Sequence, residues 1–133
     1  MNLTYTLGGA ITPNEAASLL RETNFLRPLD DPARVQRMID NADVLITARD
    51  GSGVLAGFVR ALTDFAFYCL VAEIAVSPDH QGKGIGRELL RRLREATGDQ
   101  VNMVLNASES GDTFYGHLGW EKLERGWRLR RTR

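Results

Sequence analysis

Seven consecutive residues, 81–87, have the types and spacing expected of a phosphate-binding loop. Three glycines stand at alternate positions, and a charged amphipathic segment begins at the second of them or one residue later. Glycine lets the main chain approach an anion closely, and the first turn of a helix presents free N–H groups and a positive dipole end. The lysine and the arginine of the loop can add charge-assisted hydrogen bonds. The residues predicted to hold the phosphates are Gln81, Gly82, Lys83, Gly84, Ile85, Gly86 and Arg87.

The spacing of the glycines excludes two common phosphate loops. A Walker loop has four residues between its first glycine and a Gly-Lys-Ser/Thr sequence, and the dinucleotide fingerprint reads Gly-x-Gly-x-x-Gly. The chain has neither; it has Gln-x-x-Gly-x-Gly at residues 81–86, after an apolar strand that ends at Val76.

This pattern resembles the acetyl-coenzyme A loop of the GNAT superfamily of N-acetyltransferases, Arg/Gln-x-x-Gly-x-Gly/Ala after a strand of the form Leu-Ala-Val-x-Pro. The match includes Pro78. Residues 113–120 are similar to the family's closing Phe-Tyr-x-x-x-Gly-Phe, with Trp120 in place of the usual Phe. Two motifs in the right order are more specific than either alone. The resemblance covers essentially the whole chain and identifies it as a small, single-domain, bacterial-type member of the family.

The resemblance implies an acyltransferase that moves the acetyl group of acetyl-CoA directly to an amine, without a metal or a covalent enzyme intermediate. In the family, pantetheine lies where two central parallel strands separate, and pairs with the first of them. The main-chain N–H groups of Ile74 and Val76 would here bind it, with one near Ala75 stabilising the thioester oxyanion. Asn106 and Ser108 are further predicted cofactor contacts, although relatives often carry Asn at the second of these positions.

Tyr115 and Glu73 are the predicted catalytic residues. Tyr115 matches the family's usual acid, a phenol that gives a proton to the leaving thiolate; the alternative is that its ring only packs on the cofactor. Glu73 is an ionisable residue inside an apolar strand, where a carboxylate needs a partner or a role. Three roles stay open for Glu73: direct base, anchor for the acceptor, or member of a structural ion pair. Water can also carry the acceptor's proton.

The elements that must position these residues form a mixed α/β fold (α+β) in one domain of residues 1–133, a central mixed β-sheet flanked by helices. Helices are predicted to start at the Thr-Pro-Asn-Glu of residues 12–15 and the Asp-Pro of residues 31–32. The Asp-Gly at residues 50–51 predicts a hairpin turn with positive φ. The apolar run 65–76 predicts a strand buried on both faces.

The second half of the chain is predicted to continue with a helix from Gly84 or Ile85 and a strand at 101–105, parallel to the preceding strand because a crossover joins them. A brief helix then holds Tyr115, and the runs 120–123 and 127–130 predict a closing hairpin. The expected order is β-α-α-β-β-β-α-β-α-β-β, which is the GNAT topology. By resemblance alone, residues 24–31 form a rim of the acceptor pocket.

Composition narrows the class of protein and its partners. The chain has 133 residues, a formal net charge of +0 and one cysteine. A neutral total charge disfavours a dedicated nucleic-acid binder, and nothing in the sequence indicates a secretory signal or a membrane span. We therefore expect a cytoplasmic protein that does not bind nucleic acid. The resemblance implies an amine substrate, small-molecule or peptide, as its partner, and a homodimer is a further expectation.

Two rival functions remain at this stage. The first is a coenzyme A-binding regulatory module of the same fold that performs no turnover. The second is an RNA-associated protein that uses the C-terminal arginines, which the neutral charge disfavours. Tyr115 and Glu73 favour an enzyme, because a pure binder needs neither.

Overall fold

The computed structural model describes residues 2–23, 25, 27–109 and 111–133. The strands are β1 (Thr4–Leu7), β2 (Val44–Arg49), β3 (Leu55–Thr63), β4 (Tyr68–Val76) and β5 (Asn102–Val104). The helices are α1 (Pro13–Glu22), α2 (Pro32–Asp40), α3 (Ile85–Thr97) and α4 (Asp112–His117), with a 3₁₀ turn at Pro78–His80 before α3. Among the described residues no helix has the length and apolar character that a membrane span requires.

The strands form one sheet in the order β1-β2-β3-β4-β5, antiparallel except for the last pair. β5 runs parallel to β4, because α3 connects them by the predicted crossover. Their pairing is short: residues 68–70 of β4 face residues 102–104 of β5. Beyond residue 70, β4 has no partner on this side within the described part of the chain, so the two strands leave an opening beside residues 71–76.

Helices cover both faces of the sheet. On one face α3 buries Ile85, Leu89 and Leu93 against strand residues that include Val59 and Val71. On the other face the helices α1 and α2 form a second core, whose buried members are Ile11, Ala16, Ala17, Leu19, Leu20, Leu29, Val35, Leu55, Phe58 and Ala75. Burial of these apolar side chains is the main favourable term that holds the layers together.

The hairpin between β2 and β3 is confirmed, but its turn differs in detail from the prediction. The positive φ lies at Gly53 (+84°) and not in the Asp50-Gly51 pair. The carboxylate of Asp50 accepts the N–H groups of Ser52 and Val54. Asp50 therefore acts through its side chain, which closes the loop.

Helix α1 starts with the predicted capping box, which also links the helix to β2. Thr12 and Glu15 exchange side-chain-to-backbone hydrogen bonds of 3.1 and 3.0 Å. Arg49 of β2 then donates to both carboxylate oxygens of Glu15, at 2.6 and 3.0 Å. The hydrogen bonds from Arg49 are the main reason that the pKa of Glu15 falls from 4.5 to about 2.

We expect Glu15→Gln to lower the free energy of unfolding by about 1 to 2 kcal/mol at pH 7, a value reduced for solvent screening of this partly exposed pair. The pKa is lower in the folded state, so the stabilisation is present above the unfolded value of 4.5 and is lost as pH falls toward about 2. Urea unfolding at pH 7 and pH 3 should show the gap between wild type and variant shrinking. Glu22→Gln, on the same helix, is the control and should be nearly neutral. A gap that stays constant would contradict the ion-pair explanation.

The prediction that residues 65–76 are buried on both faces is wrong for the first half of the run. Residues 65–67 form a bend, in which the carboxylate of Asp64 accepts three consecutive N–H groups. In β4 itself, Tyr68 and Leu70 are 57% and 43% exposed, while Cys69 between them is buried. The reason is that α1 and α2 pack near Ala75, at the far end of the strand.

The predicted closing hairpin at 120–123 and 127–130 is also wrong. No strand follows α4 in the described residues, and Trp127 and Leu129 are 96% and 100% exposed. An isolated hairpin is marginal in water unless an apolar face packs on a neighbour. The segment after Trp120 has only three large apolar residues, the third being Leu123, among many charged ones. The observed order therefore ends at α4.

Candidate active site

The opening between β4 and β5 leads into a cleft of about 640 Å³. Its walls come from β4, the loop before α3, the first turn of α3, the segment after β5, and α4. All predicted site residues except Lys83 line it, namely Glu73, Ile74, Ala75, Val76, Gln81, Gly82, Gly84, Ile85, Gly86, Arg87, Asn106, Ser108 and Tyr115. Parts of the chain that are distant in sequence thus meet in one cavity.

The main chain of β4 directs alternate N–H groups into the cleft. Ser77 donates its N–H to the carbonyl of Ala56, at the start of β3, at 2.8 Å. Because successive residues of a strand direct their N–H groups to opposite sides, those of Ile74 and Val76 point away from β3 and toward the cleft. The N–H of Ala75 points toward β3, where Phe58 is its partner in register. Ala75 therefore contributes to the wall, and its N–H is not placed for the predicted oxyanion role.

The loop before α3 presents a helix N-terminus that carries no side-chain cap. The first helical turn closes with the N–H of Glu88 on the carbonyl of Gly84, at 3.0 Å. The N–H groups of Ile85, Gly86 and Arg87 precede that bond, so they have no acceptor within the helix. All three residues line the cleft.

Gly84 and Gly86 differ in what an added side chain would meet. Gly84 has a φ of +81°, and an added Cβ would meet no atom within 4 Å, so the left-handed backbone is what requires glycine. At Gly86 an added Cβ would lie 3.4 Å from the ring of Phe114. A Cβ at Gly86 would therefore make an ordinary van der Waals contact with α4, and space alone does not require glycine there. The loop is also tied to β4, because Gln81 Nε2 donates to the carbonyl of Val76 at 3.1 Å.

Tyr115 is half-buried on α4. Its ring packs edge-on against Phe114 and at a tilt against Trp120, with centroids 5.1 and 5.4 Å apart. Burial raises the pKa of Tyr115 above its ordinary value of 10.0. The phenol is therefore protonated at neutral pH, which is the form that a general acid requires.

The structure brings Ser108, a departure from the family pattern, next to Gly111. Ser108 Oγ accepts the N–H of Gly111 at 3.1 Å. A Cβ on Gly111 would lie only 3.0 Å from that same Oγ. The hydroxyl thus occupies space that an alanine at residue 111 would need, so the two residues belong to one local arrangement.

Glu73 is buried in an ion pair with two arginines. Arg60 of β3, its partner in register, donates Nε to Oε1 at 2.7 Å and Nη2 to Oε2 at 2.6 Å. Arg27 approaches Oε2 through Nη1 at 3.2 Å. The Glu73 side chain is 0% exposed and that of Arg60 is 9% exposed. Of the three roles left open by the sequence, this geometry favours the structural ion pair, because guanidinium groups already engage both carboxylate oxygens.

The sequence analysis did not identify Arg27 or Arg60 as site residues, although the sequence contains one indication of the role of Arg60. Arg60 is a charged residue within the otherwise apolar strand β3, and pairing of that strand with β4 places it opposite Glu73. Arg27 lies in a loop that gives no such signal. In the predicted rim, Phe25 lines the cleft, as do Glu22 and Thr23 just before it. Residues 24 and 26 of that rim lie outside the described residues.

The sequence was compared with models of protein families and with curated proteins. A family model described as the acetyltransferase (GNAT) domain matches residues 40–122. The uncharacterised N-acetyltransferase ycf52 of Gracilaria tenuistipitata var. liui is 31% identical over 99 residues, which cover 71% of this chain and 53% of that protein. The chain thus spans about half the length of this curated relative.

Solved structures share the fold. A protein of unknown function from methicillin-resistant Staphylococcus aureus has a TM-score of 0.83 at 19% identity, covering 98% of this chain and 100% of that one. An aminoglycoside N-acetyltransferase solved in complex with CoA has a TM-score of 0.68 at 18% identity, covering 98% and 95%. These likenesses confirm the predicted fold class, a mixed sheet flanked by helices.

Proposed function

Because this chain belongs to the GNAT acetyltransferase family, we propose that it transfers the acetyl group of acetyl-CoA directly to an amine of a small molecule or peptide. One observation carries the proposal. A single cleft joins the uncapped start of α3, the two N–H groups of β4 that point away from β3, and the half-buried Tyr115. These are the groups needed for a pyrophosphate, an extended amide chain and a leaving thiolate, in that order.

The start of α3 is the proposed pyrophosphate site. Free N–H groups and the positive dipole end favour negative charge at this position. Arg87, in the first turn of α3, lines the same part of the cleft and can add a charged donor. Lys83 does not line the cleft, so we assign it no phosphate contact.

The N–H groups of Ile74 and Val76 are the proposed partners of pantetheine. They lie on the side of β4 that β5 leaves unpaired beyond residue 70, so an extended amide chain can add there like a further strand. Since the N–H of Ala75 points toward β3, we assign the oxyanion to one of these two N–H groups.

The proposed chemistry needs little covalent participation by the protein. The neutral amine attacks the thioester carbon, the carbon–sulfur bond breaks, and Tyr115 gives its hydroxyl proton to the sulfur. The phenolate of Tyr115 then takes up a proton from water. We propose that the proton of the amine leaves through water, because the oxygens of Glu73 are occupied by Arg60 and Arg27. Glu73 then acts as an ion-pair partner that keeps two arginines in place beside the cleft.

The regulatory module that binds coenzyme A without turnover is the second candidate. The ion pairs of Glu73 with Arg27 and Arg60 favour this candidate. With Glu73 engaged, the cleft has Tyr115 as an acid but no free carboxylate from β4 that could act as a base. Turnover of any amine separates the two.

Three further expectations stay predictions: that residues 1–133 form one domain, that the protein is cytoplasmic, and that it forms a homodimer.

Gly84→Asp is the variant that tests the proposal. The substitution forces a side chain onto a φ of +81° and adds negative charge where the pyrophosphate is proposed to bind. We expect calorimetry to show at least about a tenfold loss of coenzyme A affinity, equivalent to about 1.4 kcal/mol. A thiol-release assay with acetyl-CoA and a panel of amines should show turnover by the wild type.

Gly98→Asp is the matched control. Gly98 caps the other end of α3, away from the cleft, with a φ of +85° and open space at its Cβ. Its ψ of 172° makes a side chain there at least as strained as at Gly84, so this control tests backbone strain without the cleft. Coenzyme A affinity should be unchanged in this control. A folded Gly84→Asp variant with wild-type affinity would overturn the site, and binding without release of thiol for any amine would favour the regulatory module.

A further inference from the structure

A second cavity, of about 170 Å³, lies next to the guanidinium groups that hold Glu73. Four of its eight lining residues are arginines from four parts of the chain: Arg27, Arg34, Arg60 and Arg131. The others are Pro28, Leu29, Val35 and Met38. No Asp or Glu lines the cavity within the described part of the chain. We call this cavity the arginine pocket.

The arginine pocket carries more positive charge than its surroundings neutralise. Glu73 is the carboxylate that contacts its arginines, and it faces two of them, Arg27 and Arg60. Arg34 donates Nη2 to the main-chain oxygen of Arg133 at 3.0 Å. Even counted as an oxygen of a carboxylate, this acceptor leaves four guanidinium groups facing two negative charges. Like charges that share a partly buried cavity repel one another unless an anion lies between them.

Donors in the pocket also outnumber acceptors. A guanidinium has five N–H groups and no acceptor. Among the described residues, Arg27 makes one polar side-chain contact, with Glu73, and Arg131 makes none. The cavity has room for several water molecules or one small oxyanion. Carboxylate and phosphate are the groups that match several converging guanidiniums.

We propose that the arginine pocket binds a carboxylate or phosphate group carried by the amine acceptor itself. This inference rests on the proposed acetyl transfer. The pocket and the cleft are neighbours: Arg27 lines the pocket, while its partners Glu73 and Phe25 line the cleft. The Arg27 guanidinium lies 5.4 Å from the centre of the Phe25 ring.

Arg27 is the residue that can serve both cavities. Its contact with Glu73 is single and 3.2 Å long, and its side chain is 28% exposed, whereas Arg60 holds the same carboxylate through two short bonds. Arg27 can therefore turn toward an incoming oxyanion while Arg60 keeps Glu73 neutralised. The acceptors selected in this way are amines that also bear an acidic group, such as amino acids.

The binding arm of the test titrates the full chain with succinate and with inorganic phosphate, and binding is followed by NMR. Saturable shifts are expected in the wild type, with affinity at least about fivefold weaker in Arg34→Gln and in Arg131→Gln. Arg125→Gln removes the same charge from the exposed C-terminal segment, outside the pocket, and is expected to match the wild type. Absence of saturable binding, or equal weakening in Arg125→Gln, would overturn the pocket.

The kinetic arm uses phenylalanine and phenethylamine, which differ by the carboxylate. Arg131→Gln should raise the KM for phenylalanine several-fold more than that for phenethylamine, and succinate should compete with phenylalanine. If succinate binds without competing, the oxyanion belongs to a separate ligand and the assignment to the acceptor is wrong. The binding arm needs no turnover, so a failure of the acetyl-transfer proposal would be seen separately, as intact succinate binding without release of thiol.

Discussion

Tyr115→Phe should lower kcat by on the order of ten- to a thousandfold and leave the affinity for coenzyme A almost unchanged. The variant keeps the ring that packs against Phe114 and Trp120 and removes only the hydroxyl. The lost proton donor can be replaced in part by water, which sets the lower end of the range. Steady-state kinetics with acetyl-CoA and an amine found in the panel, together with calorimetry, measure both quantities.

The pH dependence of the same variant gives an independent check. Burial raises the pKa of Tyr115 above 10.0, so the acid form persists through the neutral range and is lost only at higher pH. The wild-type rate should therefore fall only above about pH 10, and this fall should disappear in Tyr115→Phe. Tyr68→Phe is the control, because Tyr68 is an exposed tyrosine on β4 outside the cleft.

Two results would contradict the acid role. Turnover of Tyr115→Phe at the wild-type rate would mean that water or another group protonates the thiolate. A loss of coenzyme A affinity with unchanged kcat would mean that the residue serves only to pack on the cofactor. Both readouts come from the same set of measurements.

The parts of the site that were predictable from sequence are those that depend on local chain geometry. A glycine loop at residues 81–86 followed by an amphipathic helix specifies a helix N-terminus, and the crossover rule then places β5 parallel to β4. The capping box at Thr12 is equally local, because both partners lie within one turn. Each of these predictions is confirmed by the structure.

The remaining parts depend on contacts between distant segments. The two arginines around Glu73 come from a different strand and from a loop, so no spacing along the chain marks the trio. Phe114 of α4 lies against Gly86, a contact that the loop motif does not reveal. The closing hairpin was predicted from alternation alone, but residues 127–130 find no apolar surface on which to pack.

Glu73→Gln should lower the free energy of unfolding by about 3 kcal/mol, because it leaves two guanidinium groups without a countercharge, one of them almost fully buried. The control Glu95→Gln removes a carboxylate from an exposed pair with Arg91, whose side chains are 71% and 58% exposed. That change should be nearly neutral, because an exposed ion pair contributes little to stability. Urea unfolding of the three proteins at pH 7 measures the difference.

Kinetics of the folded Glu73→Gln variant then separate the three roles considered for this residue. If Glu73 is only an ion-pair partner, the variant is less stable, but the shape of its pH–rate profile is the same as that of the wild type. If Glu73 is the base, kcat of the variant falls, most of all at low pH, where free amine is scarce. If Glu73 anchors the acceptor, KM of the variant for the acceptor rises. Since Arg60 and Arg27 already engage both oxygens of Glu73, we expect the first pattern. A variant as stable as the wild type, but with kcat reduced at low pH, would instead assign the carboxylate to catalysis.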